Sequence, residues 1–372
     1  RVMFRIRRPV VWVTLVAVVF TVIQLSCATW RPHLGVNVDL AAHLQKVLRV
    51  YLFEWCIYGA LTIWLFKQTW SASPSENDPT SSSSPSVGIL AALLIILRIS
   101  WWPSPPSPSE DVWRYLWDGQ RIYLGLSVFS EAPSSAVLQL TGHKADPILL
   151  SIFPKIGHAE VPTVYPPGAQ VFFWGSSAIN NWFSGGILGA LLWWRSILLG
   201  VELALLYVMN ILCEQLRVSR VSLTLYILCP LGAFESSLGA HLDLIGVTLM
   251  LTSISAACAR RWGWSGIALG LGISVKLVPI IISLVLISVM LNTRILNKIR
   301  RDDIKPLLYF GCGVVLSTLV ILSPFGYELY TLGGLWPGLS AYTAHWTFNG
   351  SIYPLIELSV RKLLRVLAFD EP

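Results

Sequence analysis

The stretch GALLWWRSILLGVELALLYVM, residues 189–209, is 21 residues long and interrupted by only two charges, Arg195 and Glu202. A continuous apolar run of this length matches the roughly 20 helical residues needed to cross a bilayer core. Alternation is absent, so a strand of a membrane barrel does not fit. Similar runs recur along the chain, at about residues 10–28, 47–66, 87–101, 222–232, 244–259, 264–275, 277–291 and 307–324. Together they predict an all-α, polytopic helical integral membrane protein of about nine membrane segments, a single membrane domain over residues 1–372.

Composition agrees. Of 372 residues, 54% are hydrophobic and 13% charged, with 17 Trp and a mean hydropathy of +0.64. That charged share is roughly half that of a soluble domain. The net charge of +7 comes from short basic clusters beside apolar runs, which orient helices, so no nucleic-acid partner is expected. The six cysteines (Cys27, Cys56, Cys213, Cys229, Cys258, Cys312) show no CxxC or ligand spacing, which argues against a disulfide framework or a zinc site.

Arg1, Arg5, Arg7 and Arg8 put the start of the chain in the cytoplasm. The first apolar run is longer than a signal-peptide core and no small-residue cleavage site follows, so it reads as a retained helix. Residues 67–86, with four serines at 81–84, form a Ser/Pro-rich cytoplasmic linker. Three crossings then place residues 102–188 outside, as a long extracytoplasmic loop. Within it, residues 168–183 carry Gln170, Ser176, Ser177, Asn180 and Asn181, which favours an interfacial helix over a crossing. That choice also keeps Arg217, Arg220, Arg260, Arg261 and the cluster at 298–305 on the cytoplasmic side.

This topology collects the unusual polar residues at the outer ends of the helices: Glu110, Asp111, Arg114, Asp118, Tyr165, His241, Asp243, Lys276, His345 and Asn349. Convergence of six segments at one depth implies a shared cavity near the bilayer surface. Ser107, Pro108 and Glu110 read as a capping box with Pro at the first helical position. The helix so started aligns Asp111, Tyr115 and Asp118 on one face and lets Arg114 pair with Glu110 or Asp118, leaving Asp111 without a partner. Lys276 lies between two short apolar segments and ahead of Pro279. A lysine near mid-bilayer costs about 2.5–3.5 kcal/mol, so broken helices lining a polar cavity are expected there. Arg195 and Glu202 share a helix face and are expected to pair, with Arg195 a further phosphate candidate.

These positions resemble bacterial members of the GT-C superfamily, the polytopic glycosyltransferases that use polyprenyl-phosphate sugars, and especially their mannosyltransferase-like branch. Glu110-Asp-Val-Trp-Arg-Tyr-Leu-Trp-Asp-Gly119 is similar to the acidic first-loop motif, and Tyr165-Pro-Pro167 to the loop exit. His241-Leu-Asp243 resembles a His-Asn-Asp motif with Leu242 at its middle place. Gly270-Leu-Gly-Ile-Ser-Val-Lys-Leu-Val-Pro279 resembles a Gly-rich turn with Lys and Pro, and Trp346-Thr-Phe-Asn-Gly-Ser351 an aromatic patch. The likeness runs over about residues 105–355; family members continue with further membrane helices, so the chain is expected to be truncated at Pro372.

The resemblance implies inverting transfer of a hexose, mannose by family likeness, from a polyprenyl-phosphate donor to an extracytoplasmic lipid or glycan acceptor, in the bacterial inner membrane. Asp111 is then the general base, and Lys276, helped by Arg114 or Arg195, meets the charge growing on the leaving phosphate. Glu110, Asp118, Tyr165, His241, Asp243, His345 and Asn349 are expected to bind substrate. No cofactor is expected beyond a divalent cation, for which the carboxylates show no ion-binding spacing and no metal ligands are named. The broken helices about Lys276 also suit a transporter or flippase of a lipid-linked glycan, but no internal repeat accompanies them.

Overall fold

A computed structural model describes residues 8–27, 40–71, 86–140, 146–292, 301–333, 336–345 and 353–367. Among these residues there is no strand. The helices are α1 (Arg8–Leu25), α2 (Leu40–Ser71), α3 (Val87–Ile99), α4 (Asp111–Tyr123), α5 (Pro133–Val137), α6 (Pro147–Ile152), α7 (Pro167–Trp182), α8 (Ile187–Leu216), α9 (Val221–Leu228) and α10 (Pro230–Ala233). They continue with α11 (Asp243–Cys258), α12 (Trp262–Val275), α13 (Ile280–Asn292), α14 (Arg301–Leu322), α15 (Gly326–Thr331), α16 (Pro337–His345) and α17 (Tyr353–Leu367).

By length and composition, three helices can cross a bilayer: Ala42–Leu65 within α2, α8, and Ile304–Thr331 running from α14 into α15. A fourth is the pair Val221–Leu228 and Pro230–Leu238, bent by 51° where Pro230 interrupts the hydrogen-bond ladder. The other five expected segments form apolar helices of 10–17 residues, shorter than a bilayer core. The chain is thus a helical membrane protein with a mixture of full-length and short apolar helices.

Expected loop 102–188 holds α4 to α7. From Val112 to Arg121 every residue of α4 is buried, and it packs on α7, α6 and α8. The main core lies here, around Trp113, Leu116, Trp117, Phe173, Trp194 and Ile245. Gly119 is the point of closest approach: a Cβ there would lie 2.2 Å from the Phe173 carbonyl oxygen of α7. Gly168 plays the same part between α7 and α12, with Ser274 backbone 2.5 Å from a Cβ. The polar residues of α7 turn inward, Gln170, Ser176, Ser177 and Asn180 being buried while Trp182 is 85% exposed. Their polarity therefore serves contacts with α4 and its neighbours rather than water at an interface.

Two local expectations are corrected. The capping box does not form: Ser107 is buried and its hydroxyl donates to the Pro105 carbonyl at 3.4 Å, so α4 starts at Asp111, where Ser109 Oγ accepts from the Asp111 N–H at 3.1 Å. Glu110 makes no side-chain cap. Gly270 and Gly272 lie inside α12, not in a turn. The chain leaves the helix at Lys276, whose backbone is extended (φ −150°, ψ 140°). Pro279 keeps α12 from running on, since it has no N–H for the Val275 carbonyl four residues back and its ring clashes with that oxygen.

Candidate active site

Three helices begin and one ends at a single cavity. The first residues of α4 (Asp111) and α11 (Asp243), the residue before α7 (Pro166) and the residue after α12 (Lys276) line it. Helix starts carry partial positive charge and helix ends partial negative charge, so two carboxylates and an ammonium sit where the backbone field favours each. The cavity has a volume of about 530 Å³. Glu110, Asp111, Arg114 and Tyr115 form one wall, and His158, Val161 and Tyr165 a second. Asp243 and Lys276 face them with Leu242, Val275, Leu277 and Val278, and α16 adds Leu339 and Tyr342.

Of the residues expected to bind substrate, the cavity thus brings together Glu110, Asp111, Arg114, Tyr165, Asp243 and Lys276. Lys276 Nζ and the Asp243 carboxylate form an ion pair. Asp111 has no hydrogen-bond or ion-pair partner for its carboxylate among the described residues. Arg114 is held from behind: its Nε donates to Asp118 at 2.9 Å and one terminal nitrogen to the Val161 carbonyl at 2.8 Å. Asp118, only 1% exposed, also accepts from Gln170 at 3.3 Å, so it orients Arg114 rather than lining the cavity.

Behind Asp111 lies an aromatic nest. Tyr115 stacks on Phe173 at 4.8 Å and meets Tyr165 edge-on at 4.9 Å, while Phe173 lies 5.3 Å from Trp194. Burial, with the charge of Asp111 nearby, pushes both tyrosine hydroxyls well above their ordinary range, so they remain neutral donors. Trp194 Nε1 donates to the Ala240 carbonyl at 2.8 Å, which ties this nest to the segment before His241.

His241 stands beside the cavity and does not line it. Its Nδ1 pairs with Glu235, and its Nε2 is buried with no partner among the described residues. Burial pulls the imidazole down, but the hydrogen bond and charge of Glu235, joined by Asp111 and Asp243, outweigh it and leave the pKa above the ordinary value. His345 is the last residue of α16, and Asn349 lies outside the described residues.

Arg195 is corrected. It is 1% exposed and donates to the carbonyls of Trp102 (2.7 Å), Ser104 (3.2 Å) and Leu238 (3.2 Å), tying the start of the 102–188 segment to the core instead of meeting a phosphate. It does not pair with Glu202, which is taken by Arg98 at 2.7 Å. Seven residues of helix rise about 10 Å, too far for an ion pair.

Sequence reasoning missed Gln170, Gly119, Leu339 and Tyr342. Gly119 closed the acidic motif and could have signalled a tight crossing, and Tyr342 lies three residues before His345; Gln170 carried no signal beyond its polarity. Among the described residues no group of three or more His, Cys, Asp or Glu could hold a metal ion.

Neither a curated protein nor a solved structure matches the chain. A family model does, over residues 11–292, about three quarters of the chain and including α1 to α13 with every cavity wall except α16. The transporter alternative thereby gives way to an enzyme, a hexosyltransferase of mannosyltransferase type. By that match the chain belongs to the family described as alpha-(1->6)-mannopyranosyltransferase, N-terminal domain.

Proposed function

We propose that the protein moves mannose from a polyprenyl-phosphate donor to the primary C6 hydroxyl of a mannose residue on a lipid or glycan acceptor, with Asp111 as general base. The observation that carries this reading is a carboxylate without a hydrogen-bond or ion-pair partner among the described residues, Asp111, facing the same 530 Å³ cavity as Lys276. Asp111 takes the proton of the acceptor hydroxyl, whose oxygen forms the new bond at the anomeric carbon. The bond from that carbon to the phosphate oxygen breaks, and Lys276 and Arg114 meet the charge left on the phosphate. Inversion that yields an α linkage requires a β-linked donor. Tyr115 and Tyr165, held neutral, offer hydroxyl donors to the sugar or its acceptor.

The apolar wall suits an isoprenoid. Leu277 and Val278 are 49% and 60% exposed and lead onto α13, where Ile281 and Leu284 are 63% and 71% exposed. A lipid tail lying there places its phosphate at Lys276. In this reading the chain is one membrane domain of about nine segments in a bacterial inner membrane, with the cavity on the extracytoplasmic side and residues 67–86 in the cytoplasm. Polar groups at membrane depth are tolerated where they line such a cavity.

The test is a donor screen. Full-length protein in detergent, given a radiolabelled mannoside acceptor, is expected to extend it with polyprenyl-phosphate mannose and not with a nucleotide-mannose. Extension from the nucleotide sugar, or none from either, would refute the proposal.

A further inference from the structure

Two side chains of fixed positive charge line the cavity, and they are held very differently. Arg114 is 8% exposed and anchored by Asp118 and the Val161 carbonyl. The Lys276 ammonium meets only the Asp243 carboxylate among the described residues, and the two side chains are 40% and 50% exposed. Among the described residues the Asp243 carboxylate accepts no hydrogen bond from its own helix, and its hydrogen-bond and ion-pair partner is Lys276. Lys276 is set on the break after α12, and its Cβ packs 3.7 Å from where a Cβ on Gly246 of α11 would lie, so the two backbones are held side by side. The pair is therefore kept close by helix packing, yet open to anything entering the cavity.

We infer that Asp243 is a positioning residue that holds Lys276 at the cavity wall and yields it to the phosphate of the donor, one anion replacing another. This rests on the reading of the donor as a lipid-linked sugar phosphate. Exchange makes the site selective: a neutral sugar gives Lys276 no replacement for Asp243, whereas a phosphate does. It also serves release, because Asp243 recaptures the lysine as the lipid phosphate leaves. An exposed ion pair is worth no more than about a fivefold change in an equilibrium, so the exchange is easily reversed.

The experiment uses full-length protein in detergent with inorganic phosphate as the probe, titrated calorimetrically, beside donor kinetics. Asp243→Asn is expected to bind phosphate about threefold to fivefold more tightly. It is also expected to lower KM for the donor and to lower kcat as product lingers. Asp243→Glu keeps the pair and is expected to restore wild-type values, and Lys276→Gln to lose phosphate binding. Weaker or unchanged phosphate binding in Asp243→Asn overturns the inference. If that variant does not fold, unchanged phosphate binding in Lys276→Gln overturns it. Phosphate titration needs no sugar transfer, so a failed donor screen refutes the proposed reaction while the titration still judges the exchange.

Discussion

Arg98, in the last turn of α3, and Glu202, in the middle of α8, close a salt bridge of 2.7 Å with both side chains about 1% exposed. Glu202 also accepts from the Tyr226 hydroxyl at 2.8 Å and from Ser236 at 2.9 Å, so one carboxylate joins α3, α8, α9 and the π-helical turn Phe234–Leu238. Removing one partner strands a buried charge, at a cost of about 3–5 kcal/mol, whereas replacing both by apolar residues is close to neutral. Glu202→Ala is expected to lower the melting temperature in detergent sharply, and Arg98→Met with Glu202→Leu to recover most of it. Equal losses in the single and double variants would contradict this.

Gly119 sits on the α4–α7 contact, and Gly175 of α7, away from any neighbour, is its control. A Cβ on Gly119 would meet the Phe173 carbonyl at 2.2 Å, while one on Gly175 meets nothing within 4 Å. Gly119→Ala must push α4 from α7, and overpacking of this kind costs about 1–3 kcal/mol. Gly175→Ala is expected to be neutral or to stabilise by about 0.5–1 kcal/mol, since glycine is the poorer helix former. Thermal melts of the two variants decide this.

The raised pKa of His241 fixes a pH dependence. Its unfolded value is about 6.5, and Glu235 with Asp111 and Asp243 lifts the folded one above it. The folded state then binds the proton more tightly, so the stabilisation is complete below about pH 6.5 and is lost as pH rises through the folded pKa. Melting temperature is expected to fall over that interval in the wild type and to fall less in His241→Gln. A wild-type profile that rises there would contradict the assignment.

Arg195 gives a separate test of structure against substrate binding. Its planar group reaches three carbonyls, which an ammonium cannot match. Arg195→Lys is expected to melt lower than wild type while leaving KM for the donor unchanged. A raised KM at unchanged stability would return Arg195 to the phosphate site.

What could be read from the residues divides along physical lines. Charged groups in an apolar chain are expensive, so Asp111, Arg114, Asp243 and Lys276 announced themselves, and helical spacing offered Arg114 two partners, Glu110 and Asp118, of which Asp118 takes it. Pairings across the fold did not: Glu202 found Arg98, 104 residues away, because the packing of α3 on α8 has no trace in local spacing. The start of α4 was misplaced because Ser107 was buried within a Pro-rich turn, which its hydroxyl alone could not reveal. The inward polar face of α7 was likewise hidden, since a buried Gln170 and a wet one are written with the same letter. Apolar walls such as Leu339 and Tyr342 carry no charge to mark them among so many apolar residues.

The central claim is that Asp111 is the base of a sugar transfer in this cavity, and Asp111→Asn tests it most directly. Its carboxylate has no protein partner among the described residues, so the variant is expected to melt as the wild type does. Its rate of transfer from polyprenyl-phosphate mannose is expected to fall by about 10²–10⁴-fold, the usual share of a general base. Transfer at the wild-type rate by a normally folded Asp111→Asn protein would contradict the account.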